Sequence, residues 1–169
     1  MPEVKALTYG EAMNYTGLIN VEDLYRLIDK WFRDHGYKRN ELWSFEEVFE
    51  DGKQITLKLQ PFKEASDYIK MEIRISATLK KLTEVVIERK GLKVRTMKGE
   101  AHFVFDTFVV TDYEGHWETK PIYFFFKTVA EKFLYRSYID NLKDALLRDK
   151  EDVKHEIRKF LNMQRLGDY

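Results

Sequence analysis

Apolar residues recur along this chain with two periods, and the change between them divides it. In NVEDLYRLIDKWFRDHGY, residues 20–37, Leu24, Leu27, Ile28 and Trp31 fall at i, i+3, i+4 and i+7, which gathers them on one face of a helix. Arg26, Asp29, Lys30 and Arg33 fall largely elsewhere, so the opposite face is wet. Asn20 is suited to cap the first turn, Glu22 and Asp23 suit the positive end of the helix dipole, and Gly36 supplies a stop. The spacing predicts a helix over 20–36. Residues 1–19 show no clear period and read as a poorly ordered arm.

From about residue 41 the period is two. In KQITLKL, Ile55, Leu57 and Leu59 alternate with Gln54, Thr56 and Lys58, and YIKMEIRISATL repeats the alternation from Ile69 to Leu79. ELWSFEEVFED before them ends at Asp51-Gly52, a hairpin signal, and TEVVIERKG and LKVRTMKG after them each run into glycine. AHFVFDTFVVTDY is apolar on both faces. The pattern predicts an antiparallel meander of five or six strands over 41–114. After DYEGHWETK the helical period returns, with Pro121 suited to a first turn, and predicts a helical segment over 121–163. Asp149, with Asp152 three residues on, reads as a further cap that divides this segment into two or three helices, the last presenting Val153, Ile157, Phe160 and Leu161 on one face.

The expected architecture is therefore α+β: an N-terminal helix, a five- or six-stranded antiparallel meander, and C-terminal helices packed on one sheet face, in a single domain over 1–169. This order of elements resembles the plan of helix-grip and cystatin-like folds, in which a curved sheet wraps a helix. The resemblance implies a pocket between the sheet and the C-terminal helix, lined by aromatic and aliphatic side chains.

Composition narrows the classes. The chain is 44% hydrophobic and 34% charged, enough for both a core and a charged surface, which excludes disorder. Its 29 basic and 29 acidic residues leave a net charge of zero, so nucleic acid is not expected as a partner unless a local patch provides for it. The absence of cysteine excludes disulfides and thiolate chemistry. No apolar run is long enough for a signal peptide or a membrane span, and a cytoplasmic location is expected. Many charges of both signs with few amides give a thermophile-like composition.

Few residues carry recognisable chemistry. HEIRK at 155–159 has lysine where a zinc-protease helix needs histidine, and Asp106, Asp112, Glu114, His116 and Glu118 are accounted for by a polar turn, so neither metal nor cofactor is expected. His102 and Asp106 share a strand face, and with Glu46 they form the available acid-base set. Glycine-rich phosphate loops and nucleophile elbows are absent. Arg89, Lys90, Lys93, Arg95 and Lys98 form a basic strip, which Glu84 and Glu88 on the neighbouring strand are placed to neutralise. In PIYFFFKTVAEKF, residues 121–133, Ile122, Phe125, Phe126, Val129 and Phe133 make a core stripe, whereas Tyr123 and Phe124, with Leu134, Tyr135 and Tyr138 beyond, need a second contact.

Three functions follow. The one the sequence favours is a non-enzymatic structural or interaction protein that self-associates or binds a protein partner through Tyr123, Phe124, Leu134, Tyr135 and Tyr138. The second is a binding protein for an apolar small molecule held between sheet and helix. The third is an enzyme using His102, Asp106 and a glutamate such as Glu46.

Overall fold

The computed structural model describes residues 3–111 and 135–165, and all structural statements concern these. In chain order the elements are β1 (Glu3–Ile19), α1 (Val21–Asp34), β2 (Glu41–Phe49), β3 (Gly52–Leu59), β4 (Phe62–Ser66), β5 (Ile69–Arg89), β6 (Leu92–Thr111) and α2 (Tyr135–Arg165). The strands form one six-stranded antiparallel sheet in the order β1-β6-β5-β3-β2, with β4 beside β5. The α+β class holds, with a helix early in the chain and one after the sheet.

Three expectations are corrected. Residues 3–19 are a long strand rather than an arm, so the first helix follows a strand; Asn14 pairs with His102 and Gly17 with Gly99 in β6. Bulges between Ala6 and Glu11, with Gly10 at φ 72°, break the alternation that marks a strand in sequence. The described part of the helical segment is one helix of 31 residues, with no second start at Asp149, whose carboxylate accepts a hydrogen bond from the Tyr37 hydroxyl (2.8 Å). Finally, Gly99 lies inside β6 and not at a turn. Residues 112–134, including Tyr123, Phe124 and Leu134 and the candidate turn ligands Asp112, Glu114, His116 and Glu118, lie outside the described residues.

Gly99 marks a crease across the sheet. β5 bulges at Lys81 and Leu82, where Lys81 has φ 53°. A Cβ on Gly99 would stand 2.6 Å from the Lys80 carbonyl, and one on Gly52 would stand 2.8 Å from the Leu82 carbonyl. Strands on both sides of the bulge therefore need glycine, and the bulge bends the sheet there. Farther along β5, the β3 register, Leu59 opposite Ile75, continues unchanged into β4, Phe62 opposite Glu72. These two strands are one run interrupted at Gln60-Pro61, where proline has no N–H to donate and its carbonyl accepts from the Ile73 N–H (3.1 Å).

Both helices pack into one core on one sheet face. α1 forms as its pattern predicts: the Asn20 side chain accepts from the Asp23 N–H (3.1 Å), and Leu24, Ile28, Trp31 and Phe32 are buried. α2 contributes Leu146, Val153, Ile157 and Leu161, spaced by seven and four residues. They meet Ile73, Ile75, Phe103 and Phe105 of the two central strands, all fully buried. On the other face of β6, Phe108 and Val110 are also buried.

Candidate binding groove between the first helix and the sheet

Beneath the first two turns of α1 the core is not filled. A cavity of about 850 Å³ separates the helix from the sheet, with Val21, Leu24 and Ile28 above and Ile55, Leu57, Ala77, Leu79 and Phe103 below. The local sequence explains the space. Residues 44 and 46 of β2 face this side, opposite Leu57 and Ile55, and they are serine and glutamate. Trp43 and Phe45 stand on the alternate positions, where their rings stack at 5.2 Å, and Phe45 reaches only the margin of the groove. Ala77 adds a short side chain at the floor. A short and a charged residue at these two positions thus leave the floor bare on one side.

The rim is charged but paired. Glu46 accepts from Lys53 (2.7 Å), and Arg26 pairs with Glu22 along the exposed side of α1. Tyr25 divides this groove from a second cavity of about 330 Å³ under the later turns of α1, lined by Phe32, Tyr37, Leu59 and Pro61 among others. The Tyr25 hydroxyl donates to Glu41 (2.5 Å) and accepts from Arg39, whose guanidinium also reaches Glu41 (3.0 Å) and Asp29 (3.7 Å). Burial, reinforced by Glu41, raises the Tyr25 phenol above its ordinary value. The hydrogen bonds from Tyr25 and Arg39 lower the Glu41 carboxyl. The wall between the cavities is a fixed, fully engaged polar cluster. The groove itself offers shape and apolar surface, with no free charge in its floor.

The residues singled out by sequence lie elsewhere or apart. His102 and Asp106 share the sheet face opposite the helices, where His102 Nδ1 meets Asn14 Oδ1 and Asp106 accepts from the Gly10 N–H (2.6 Å). Glu46 is on the groove side, so the structure does not bring it to them. In the basic strip, Arg95 pairs with Glu84 (3.5 Å), Lys93 stands opposite Glu88, and Arg89 donates to Gln164 Oε1 (3.1 Å) at the end of α2. Lys90 sits at the β5–β6 turn with φ 51°, and Lys98 stands opposite Thr83. Tyr138 is half-exposed on α2, and its hydroxyl donates to the Ala65 carbonyl (3.4 Å). Tyr135 opens α2. Among the described residues no group of three or more His, Asp or Glu is placed to hold a metal ion, and no helix is long and apolar enough to cross a membrane.

The groove itself was missed in sequence. Its signal was local to ELWSFEEVF, where Ser44 and Glu46 take the positions alternate to Trp43 and Phe45. No protein-family model, no curated protein and no solved structure matches the chain.

Proposed function

We propose that the protein binds an apolar small molecule in the groove between α1 and the sheet. The supporting observation is the cavity of about 850 Å³ with an aliphatic and aromatic floor, within the size range of small-molecule sites. Such walls make few hydrogen bonds with water, so an apolar occupant displaces water at little cost while burying its own surface. The paired charges at the rim leave no strong attraction for an ionic ligand in the floor, which favours a neutral or weakly polar molecule. The interaction reading draws on Tyr123, Phe124 and Leu134, outside the described residues, and has in its support the half-exposed Tyr138.

The test uses a neutral fluorescent probe, N-phenyl-1-naphthylamine, and an Ala77→Trp variant that fills the floor. The intact protein is expected to bind the probe saturably and to lose at least about tenfold in affinity on substitution, equivalent to about 1.4 kcal/mol. Absence of saturable binding, or equal binding by a folded Ala77→Trp protein, overturns the proposal. Mass spectrometry of material extracted from the native protein then identifies the chemical class of the occupant.

A further inference from the structure

We propose that β2 is a self-association edge, through which two copies of this chain join their sheets about a two-fold axis at Phe45. This goes beyond ligand binding and concerns a surface distinct from Tyr138. Among the described residues β2 is hydrogen-bonded to β3 on one side only, and every one of its nine residues is exposed. Leu42, Trp43, Phe45, Val48 and Phe49 are all large and apolar, each at least 43% exposed. Free edges are ordinarily blunted by charged side chains, lysine above all, by proline, by extreme shortness or by a bulge. ELWSFEEVF has neither lysine nor proline, its charges are three glutamates, and its pairing with β3 shifts once, between Glu41 and Trp43, and is regular from there to Phe49. The other edge of the sheet is different: β1 is bulged between Ala6 and Glu11, and α2 packs along it through the pairing of Lys150 and Lys154 with Glu11.

The strand's own sequence selects a second copy as its occupant. A two-fold axis perpendicular to the sheet keeps each face on its own side, so residues of equal parity must oppose. Centred on Phe45, Ser44 meets the partner's Glu46 and Phe45 meets the partner's Phe45, within the regular stretch that begins at Trp43. Trp43 stands opposite the partner's Glu47 and diagonal to the partner's Phe45, which extends the existing Trp43–Phe45 stack into one aromatic row across the joint. Moving the axis one residue spoils this. At Ser44, Glu41 opposes the partner's Glu47, and at Glu46 that carboxylate opposes its own copy. Of these three registers only the central one keeps directly opposed carboxylates apart while setting Phe45 against Phe45. Because Ser44 and Glu46 also line the groove, the joint would run beside its mouth.

The chain has no cysteine, so single cysteines report the register. Sedimentation of the intact protein at about 50 μM is expected to show a dimer, and Phe45→Lys, which sets two ammonium groups on the axis, a folded monomer. Under mild oxidation Phe45→Cys should cross-link in most chains, since directly opposed residues bring their Cα atoms to about 4.5–5.5 Å. Glu47→Cys should cross-link in less than about one-tenth, because its two copies would lie about 13 Å apart along the strands. A monomeric wild type, a dimer that survives Phe45→Lys, or cross-linking of Glu47→Cys equal to that of Phe45→Cys each overturns the proposal. Should Phe45→Lys fail to fold, the two cysteine variants decide alone.

Discussion

Two helices lie on the same face of the same sheet, and one contact is closed while the other is open. Under α2, Leu146, Val153 and Ile157 have no exposed surface, and they meet the buried rings and branched chains of β5 and β6. Under the start of α1, Leu24 and Ile28 are as buried, yet a cavity remains beneath them. The helices do not differ in pattern, since each carries an ordinary apolar stripe. What differs is the floor and the attachment. α2 sits over strands whose inward residues are large, whereas α1 overhangs β2, whose inward residues are Ser44 and Glu46. In addition, the far end of α1 is tied to α2: Trp31 Nε1 donates to Asp152 (2.8 Å), and Tyr37 just beyond the helix donates to Asp149. A helix held at one end is less free to settle onto the sheet at the other.

The largest expected effect tests the closed contact against the open one. Ile157→Ala removes a side chain packed on all sides and is expected to cost about 2–5 kcal/mol. Leu79→Ala, at the groove floor, removes a side chain that already borders empty space and so has fewer contacts to lose, with an expected cost of about 1–2 kcal/mol. Urea unfolding of both variants measures the difference. Equal losses would mean that the groove is filled by packing in solution, and the contrast between the two helices would disappear.

A smaller effect concerns the ion pairs that hold α2 to β1. Lys150 is only 4% exposed and pairs with Glu11 and with Glu151 (2.9 Å), while Lys154 also reaches Glu11. Hydrogen bonds from Lys150 and Lys154 hold the Glu11 carboxyl below its ordinary value. A lowered carboxyl contributes stability above the unfolded-state value near about 4.3, and that contribution is lost as pH falls through the folded-state value. Glu11→Gln is expected to cost about 1–3 kcal/mol at neutral pH, chiefly by leaving Lys150 underpaired. The gap between variant and wild type should close as pH drops below about 4. For Lys150, burial lowers the ammonium value but the bonds from Glu11 and Glu151 outweigh it, so its net shift is upward and its contribution fades only above about pH 10. A pH-independent gap in thermal unfolding would show that the contact acts through packing alone.

What sequence could show, it showed where the interaction is local. α1 was legible because its cap, its stripe and its stop all lie within 18 consecutive positions, from Asn20 to Tyr37. β5 was legible over Ile69–Leu79, where alternation is strict, but its continuity through Lys81 was hidden by a bulge whose requirement for Gly99 comes from a different strand. β1 was illegible because its partner, β6, is some ninety residues away and its own pattern is broken by Gly10 and by bulges. Asp149 was misread because a helix cap and a hydrogen bond to a distant tyrosine demand the same short carboxylate. The groove was readable in part: the polar residues at 44 and 46 are a local fact, but what they leave empty depends on which helix passes above. Of the acid-base candidates, the shared face of His102 and Asp106 was readable from strand parity, and the separation of Glu46 was not, since it depends on the register of three intervening strand pairs.

The smallest expected effect falls on the tie itself. The Tyr37 hydroxyl donates to Asp149 while its ring packs edge-on against Phe32 at 5.4 Å, so Tyr37→Phe deletes the bond and keeps the packing. The expected cost is about 1–2 kcal/mol. Burial, then the Asp149 charge, raises the Tyr37 phenol above its ordinary value. A raised phenol contributes fully below the unfolded-state value near about 10 and loses that contribution at higher pH, so Tyr37→Phe should also flatten the alkaline loss of stability. The more telling readout is in the groove. If the tie to α2 is what holds α1 off its floor, loosening it lets the helix settle, and naphthylamine affinity should shift by about two- to fivefold, about 0.5–1 kcal/mol, although no atom of the larger cavity's lining has changed. An unchanged affinity in a measurably destabilised variant would separate the two causes: the polar inward face of β2 alone would then keep the groove open, and the pinned end of α1 would serve stability without shaping the site.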